Sequence, residues 1–130
     1  KSADFIPELS LVACYKGDVV GHILFSKIKI GNTTALALAP VAVLPDYQQM
    51  GVGSMLIKQG HKEAKRLGYG ISVVVGHEGY YPKFGYKPAS GYGIFPPFEC
   101  PPENFMCLEL KEGALEDVKG VVEYPPEFEN

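Results

Sequence analysis

One stretch limits what this chain can fold into more than any other: Val41-Ala42-Val43-Leu44-Pro45-Asp46-Tyr47-Gln48-Gln49-Met50-Gly51-Val52-Gly53-Ser54-Met55-Leu56-Ile57. A β-rich run passes through a Pro-Asp turn into a glycine-bearing helix start. A helix start leaves backbone N–H groups unpaired and aimed at one spot, at the positive end of the helix dipole. That spot suits a phosphate. The plain alternative is a helix start that merely needs small residues.

The flanking sequence reads as strands before this point and a helix after it. Leu9 to Tyr15 is β-rich, Lys16-Gly17-Asp18 reads as a hairpin turn, and Val19 to Ile30 is the return strand. Within that return strand Ile23 and Phe25 face one way and Ile28 and Ile30 the other, which predicts a bulge near Ser26-Lys27. Gly31-Asn32 makes the next turn, and Thr34 to Val43 is a third antiparallel strand. Val52, Leu56, Gly60, Ala64 and Leu67 then recur at helical spacing, with Ser54, Lys58, His61, Lys62, Lys65 and Arg66 on the rest of the helix. Gly60 on the inner face permits close approach to a sheet, and Gly68 is placed to end the helix. Ile71 to Val75 is an apolar run bounded by glycines, hence a buried strand parallel to the third. Glu78 to Phe84 forms a short helix limited by Pro82. Gly91 to Pro102 is expected as a long loop. Phe105 to Lys111 is a strand with Met106, Leu108 and Leu110, or the opposite set, facing inward. A weak strand at Val118 to Tyr124 ends at Pro125-Pro126.

Composition bounds the function classes. The chain has 130 residues, 46% of them hydrophobic, so one domain with a real core is expected. Net charge is −3 with no basic block. A nucleic-acid partner is therefore disfavoured, because it demands clustered Lys and Arg. No apolar run approaches membrane-spanning length, so no membrane association is expected. The three cysteines, Cys14, Cys100 and Cys107, form no Cys-x-x-Cys pair, so neither a disulfide framework nor a metal site is expected. A reducing, cytoplasmic setting fits this usage. The chain opens at Lys1 without methionine and enters a strand almost at once, so an N-terminal piece is expected to be missing.

Gly51 and Gly53 do not extend to a dinucleotide fingerprint, since Leu56 stands where a third glycine belongs. The strand ending Val75-Gly76 also offers no carboxylate for a ribose. No Gly-Lys-Ser/Thr follows, so a Walker loop fails too. The wider order is more specific. A Val-Ala-Val strand leads through Pro to Gln48-x-x-Gly51-x-Gly53. An amphipathic helix ending Leu-Gly-Tyr follows, then an apolar strand, then Tyr80-Tyr81-Pro82-Lys83-Phe84-Gly85-Tyr86. This order resembles the GNAT superfamily of acyl-CoA-dependent N-acyltransferases. Gln48-x-x-Gly51-x-Gly53 matches its pyrophosphate motif. Tyr81-x-x-x-Gly85-Tyr86 matches its Tyr-x-x-x-Gly-Phe motif, with Tyr replacing the final Phe. Gly21-His22-Ile23-Leu24-Phe25-Ser26 and the Tyr80-Tyr81 pair look like a small bacterial-type acetyltransferase branch. The likeness runs from the first hairpin to about Lys111. It lacks the family's first strand and the two helices after it, which wall the acceptor side.

The resemblance implies an α/β fold: a mixed, mostly antiparallel sheet, splayed beside a central amphipathic helix, as a single N-acetyltransferase domain truncated at its N-terminus. It implies acetyl-CoA as cosubstrate and no metal. The backbone N–H groups of Gln49, Met50, Gly51, Val52, Gly53 and Ser54 would cradle the pyrophosphate, with a side-chain bond from Gln48. Val41, Ala42 and Val43 would pair with the pantetheine arm as an added strand. The Val43 N–H would polarise the thioester carbonyl. Tyr81 would be the general acid for the departing thiolate, because a phenol near pKa 10 can protonate a thiolate of about 8.5. The alternative for Tyr81 is aromatic packing, with Tyr80 then the next candidate. The general base is open among His22, His77, Glu78 and a water chain. A Cys100 nucleophile is the mechanistic alternative, and no paired His supports it. The loop carrying Phe95 and Phe98 is either a wall of the acceptor site or plain surface. The acceptor is a small-molecule or peptide amine, and a homodimer is the default assembly. The rival functions are a non-catalytic acyl-CoA sensor or regulatory module, and a binding domain for another nucleotide.

Overall fold

The structure, a computed structural model, describes residues 5–125. Lys1 and Pro126, which bear on the expected missing N-terminal piece and on the end of the last strand, lie outside the described residues. Strands β1 (Phe5–Tyr15), β2 (Asp18–Ile30) and β3 (Thr33–Val43) form an antiparallel meander. Helix α1 (Val52–Arg66) leads to β4 (Ile71–Val75), which runs parallel to β3. Short strands β5 (Lys87–Pro88) and β6 (Ile94–Phe95) follow, then β7 (Phe105–Glu109) and β8 (Gly120–Glu123). The sheet order is β5-β7-β4-β3-β2-β8-β6, and β1 pairs with the first half of β2.

Two cores lie on opposite faces of this sheet. One packs Ile23, Phe25, Leu36, Leu38 and Val74 beneath α1. The other packs Ile28, Ile30, Ala35, Ala37 and Val73 beneath the chain from Ala89 to Val122. This division corrects the expected bulge at Ser26-Lys27. Pairing runs without interruption from Phe25↔Leu38 to Ile30↔Thr33. Odd and even residues of an ordinary strand already face opposite ways, so the change of buried parity records a change of core, not a slip. The irregularity lies just before that stretch, around Leu24: Ala39 and Pro40 of β3 stand against Leu24 alone, and on the other side β1 passes from Phe5↔Ser26 to Ser10↔Leu24. Proline has no N–H to give to a ladder, and a bulge is one of the few places a strand admits it.

Helix α1 buries Gly53, Leu56, Ile57, Gly60 and Ala64. Gly60 faces the Phe25 ring so closely that any Cβ there would overlap it. At the far end the Gly68 N–H bonds the Lys65 carbonyl and the Tyr69 N–H bonds Ala64, a paired closure with Gly68 at φ +99°. His61, off the Val52–Leu67 stripe by spacing, packs its ring on Phe25 and Tyr86. Its Nε2 lies 2.9 Å from the Tyr86 hydroxyl, which lies 2.7 Å from the Ser72 hydroxyl. This chain explains the tyrosine at the end of the second motif: its buried oxygen has two partners. The expected loop at Gly91 to Pro102 holds more order than its composition predicts, since Ile94 and Phe95 pair in parallel with Gly120 and Val121. In β7 both Met106 and Cys107 are buried, because that strand is covered on both faces.

Burial lowers the His61 pKa from 6.5 to about 4. The unfolded chain therefore binds an extra proton between these values, and stability falls as pH drops from 6.5 towards 4. The loss is at most about 3 kcal/mol. Urea melts across this pH range should show that slope in the native chain and a flatter one in His61→Gln.

Candidate active site

The two halves of the sheet are joined by little backbone pairing. Between β3 and β4 the register holds only Leu36↔Ser72 and Ala37↔Val73. Beyond that point β3 stays with β2 as far as Val43, and β4 stays with β7 as far as Val75↔Phe105. The two strands diverge, and a gap opens between them.

The phase of the β2–β3 ladder decides which backbone groups face the gap. The Leu44 N–H donates to the Val20 carbonyl at 2.9 Å, while Gly21 and Val43 are register partners. In an antiparallel ladder that makes Gly21–Val43 and Ile23–Val41 the non-exchanging pairs, and His22–Ala42 the pair that exchanges both bonds. The N–H and C=O groups of Val41 and Val43 therefore point away from β2, into the gap. Those of Ala42 point into the ladder. Ala42 offers no backbone group to a ligand, which corrects its place among the expected binding residues.

A cavity of about 420 Å³ occupies this gap on the α1 side. Its walls are Val41 and Val43, the turn and helix start (Gln48, Gln49, Gly51, Gly53, Ser54), and Tyr80, Tyr81 and Lys83. Gly51 caps α1 at φ +80°, a left-handed conformation that L side chains avoid. No side chain caps the helix and no acidic residue sits in its first turn. The first bond into the helix runs from the Met55 N–H to the Gly51 carbonyl, so the N–H groups of Val52, Gly53 and Ser54 have no intrahelical partner. The Met50 N–H is already bonded to the Tyr47 carbonyl at 3.2 Å, and the Met50 side chain is exposed. Met50 therefore drops out of the expected cradle. The Val52 side chain packs towards Gly21 and contributes backbone alone. Gln48 serves differently from expectation. Its Nε2 donates to the Val43 carbonyl at 3.1 Å. This ties the turn to the strand and leaves the Val43 N–H as that residue's free group.

The aromatic wall comes from the one-turn helix Tyr81–Phe84. The Tyr81 ring packs against Gly76, just past the end of β4, where no side chain would fit. It meets Tyr80 and Tyr86 edge-on, with centroids 5.0 and 5.9 Å away. Burial, with a smaller contribution from Tyr80, raises the Tyr81 pKa above the ordinary phenol value. The hydroxyl stays protonated at neutral pH. The Tyr80 hydroxyl stands over Gly53, and burial raises its pKa as well.

Lys83 was not singled out from sequence. Its Nζ sits 4.4 Å from the Tyr80 ring centroid, and it is the charged side chain among the residues lining the cavity. Its signal was present in the motif, two residues after Tyr81. A second, shallower groove continues from Gly51 and Ser54 past Met55 to Lys58 and Lys62.

The remaining candidates stand apart. His22 Nε2 lies 3.3 Å from the Ser10 hydroxyl. His77 Nδ1 accepts the Gly79 N–H, and Glu78 accepts from Asn104. None of the three lines the gap cavity. The Cys100 thiol faces the Pro101 carbonyl, and no histidine is bonded to it among the described residues. Those residues include no cluster suited to a metal ion and no helix long and apolar enough to cross a membrane.

Comparison with known proteins agrees with this geometry. The sequence profile of the acetyltransferase (GNAT) family matches residues 3–86. The uncharacterized N-acetyltransferase YjhQ of Escherichia coli K12 is 41% identical over 110 residues, covering 81% of this chain and 61% of that protein. The chain thus spans about six-tenths of that relative's length. The crystal structure of E. coli YhbS, a GNAT family N-acetyltransferase in complex with CoA, superposes with a TM-score of 0.89 at 27% identity, over 93% of this chain and 69% of that one. A GNAT family acetyltransferase of Brucella melitensis in complex with acetyl-CoA gives a TM-score of 0.73 at 34% identity, over 92% of this chain and 67% of that one. The open strand gap, the uncapped glycine helix start and these matches together establish that this chain belongs to the acetyltransferase (GNAT) family.

Proposed function

We propose that this protein transfers an acetyl group from acetyl-CoA to a primary amine by direct attack. The observation that carries the reading is the pair of free backbone donor sets on one cavity: the N–H groups of Val41 and Val43 on the strand edge, and those of Gly51 to Ser54 at the helix start. The first set suits the amides of an extended pantetheine arm. The second suits a diphosphate, with the Lys83 ammonium adding charge. The groove past Lys58 and Lys62 gives the nucleotide end of the carrier a basic surface to follow. That two relatives were crystallised with CoA or acetyl-CoA supports the same donor.

In the step itself the amine lone pair attacks the thioester carbon and a C–N bond forms. The carbonyl oxygen gains negative charge, which the Val43 N–H is oriented to stabilise. The C–S bond then breaks, and the thiolate takes the Tyr81 proton. The amine releases one proton to solvent, and Tyr81 regains one.

Tyr81→Phe should leave CoA affinity within about twofold and lower turnover by about 10²-fold or more. Calorimetry and thiol release would measure the two. Loss of binding without a change in turnover number would fit a packing role instead. In Gly51→Glu, a carboxylate stands where the phosphates belong and the backbone is strained at positive φ. CoA binding should fall at least about 100-fold with the melting transition retained. Tighter binding of ATP or NAD than of CoA by the native chain would favour the other nucleotide reading. CoA binding with no turnover on any amine would favour a sensor.

A further inference from the structure

Asn104 reaches the turn that carries Tyr81 from a different part of the chain. It ends the one-turn helix Pro102–Asn104, where its N–H bonds the Pro101 carbonyl at 2.9 Å, and it leads directly into β7. Its contacts with Gly76 are reciprocal. The Gly76 N–H donates to the Asn104 carbonyl at 2.9 Å, and the Asn104 Nδ2 donates to the Gly76 carbonyl at 2.9 Å. The same Nδ2 lies 3.4 Å from Glu78 Oε1. Both of these oxygens are acceptors, so only the nitrogen of the side-chain amide suits them.

Gly76 is also the residue on which the Tyr81 ring packs. The chain between the two closes on itself. The His77 carbonyl accepts the Tyr80 N–H at 3.1 Å and the Tyr81 N–H at 3.3 Å, and His77 Nδ1 accepts the Gly79 N–H at 2.9 Å. Gly76 and Glu78 flank His77. One amide side chain thus grips both neighbours of the residue whose carbonyl receives the Tyr80 and Tyr81 backbones. The turn itself reads Gly76-His77-Glu78-Gly79, with glycine at both ends. Glycine gives a backbone more freedom than any other residue, and Asn104 takes that freedom away from the side of β7.

We propose that Asn104 is a positioning residue for Tyr81: its side-chain amide fixes the turn and so sets where the Tyr81 hydroxyl stands in the cavity. The proposal rests on the acetyl-transfer reading above, which gives that position its chemical consequence. A proton donor must stand within hydrogen-bond reach of the departing thiolate, and a displacement of about 1 Å can cost about 100-fold in rate. Asn104 itself is not among the residues lining the cavity, so it acts through the turn.

Asn104→Ala keeps the backbone carbonyl that meets Gly76 and removes the amide alone. Hydrogen exchange resolved by residue tests the grip without any acceptor. The Tyr80 and Tyr81 N–H groups should exchange at least about tenfold faster, while Ile57 and Gly60 in α1 keep their native rates. Unchanged exchange at Tyr80 and Tyr81 overturns the inference. In thiol release from acetyl-CoA with 2-phenylethylamine or spermidine as acceptor, kcat should fall by about tenfold, with KM for acetyl-CoA within about twofold of native. Asn104→Asp keeps the shape but has no N–H to give, and should behave like Asn104→Ala; native kcat and native exchange in Asn104→Asp overturn the inference. In a Tyr81→Phe background, Asn104→Ala should cost less than about twofold more in kcat. A full further loss of about tenfold there also overturns it, since the amide would then act elsewhere than through Tyr81. Native turnover in Tyr81→Phe alone, or acetylation of neither amine, marks the transfer reading as the one at fault, and the exchange rates still decide whether Asn104 holds the turn.

Discussion

The parting of β3 from β4 after two residue pairs is the constraint on which the rest of the structure depends. Each strand has a better partner elsewhere. β3 follows β2 through the bulge at Ala39-Pro40, and β4 follows β7 to its end. A closed ladder would bury the backbone groups of Val41 and Val43 in ordinary strand pairing. An open one leaves them unpaired in a sheet that is otherwise well packed. Unpaired backbone polar groups are costly unless water or a ligand meets them, and here they face an open cavity.

The parts around the gap hold it in that shape. Gln48 fastens the turn to the Val43 carbonyl, which fixes the distance between the strand edge and the start of α1. Tyr81 packs its ring over Gly76, just past the end of β4. Tyr86 anchors the same turn from below through Ser72 and His61. The aromatic cluster therefore has two functions in one segment: Tyr86 secures it, and Tyr81 presents a protonated hydroxyl to the cavity.

Much of this was legible in sequence because the relevant signals are local. Strand periods, the Lys16-Gly17 and Gly31-Asn32 turns, the stripe on α1 and its closure at Gly68 depend on neighbours within a few residues. The two motifs also carried the fold, since their order and spacing are those of a strand–turn–helix followed by a hydroxyl-bearing turn. The failures are non-local. The change of buried parity along β2 was read as a bulge because a sequence does not say that a sheet is covered on both faces. His61 falls off the apolar stripe in sequence, and Tyr86, twenty-five residues away, supplies the partner that draws it in. Ala42 was grouped with Val41 and Val43 because ladder phase is set by β2. A second cavity, lined by Ala37 and Val73, needed Pro97, Phe98 and Tyr124 brought over the strand ends, and nothing in their local pattern fixes that placement.

The account's central claim is that main-chain donors hold the cosubstrate. Amide hydrogen exchange resolved by residue, with and without saturating CoA, tests it most directly. The N–H groups of Val41, Val43, Gly51, Val52, Gly53 and Ser54 should become protected together, while Ala42, already bonded to β2, should change little. Saturation by CoA with protection confined to other segments, or with Val43 and the helix start still exchanging freely, would contradict it.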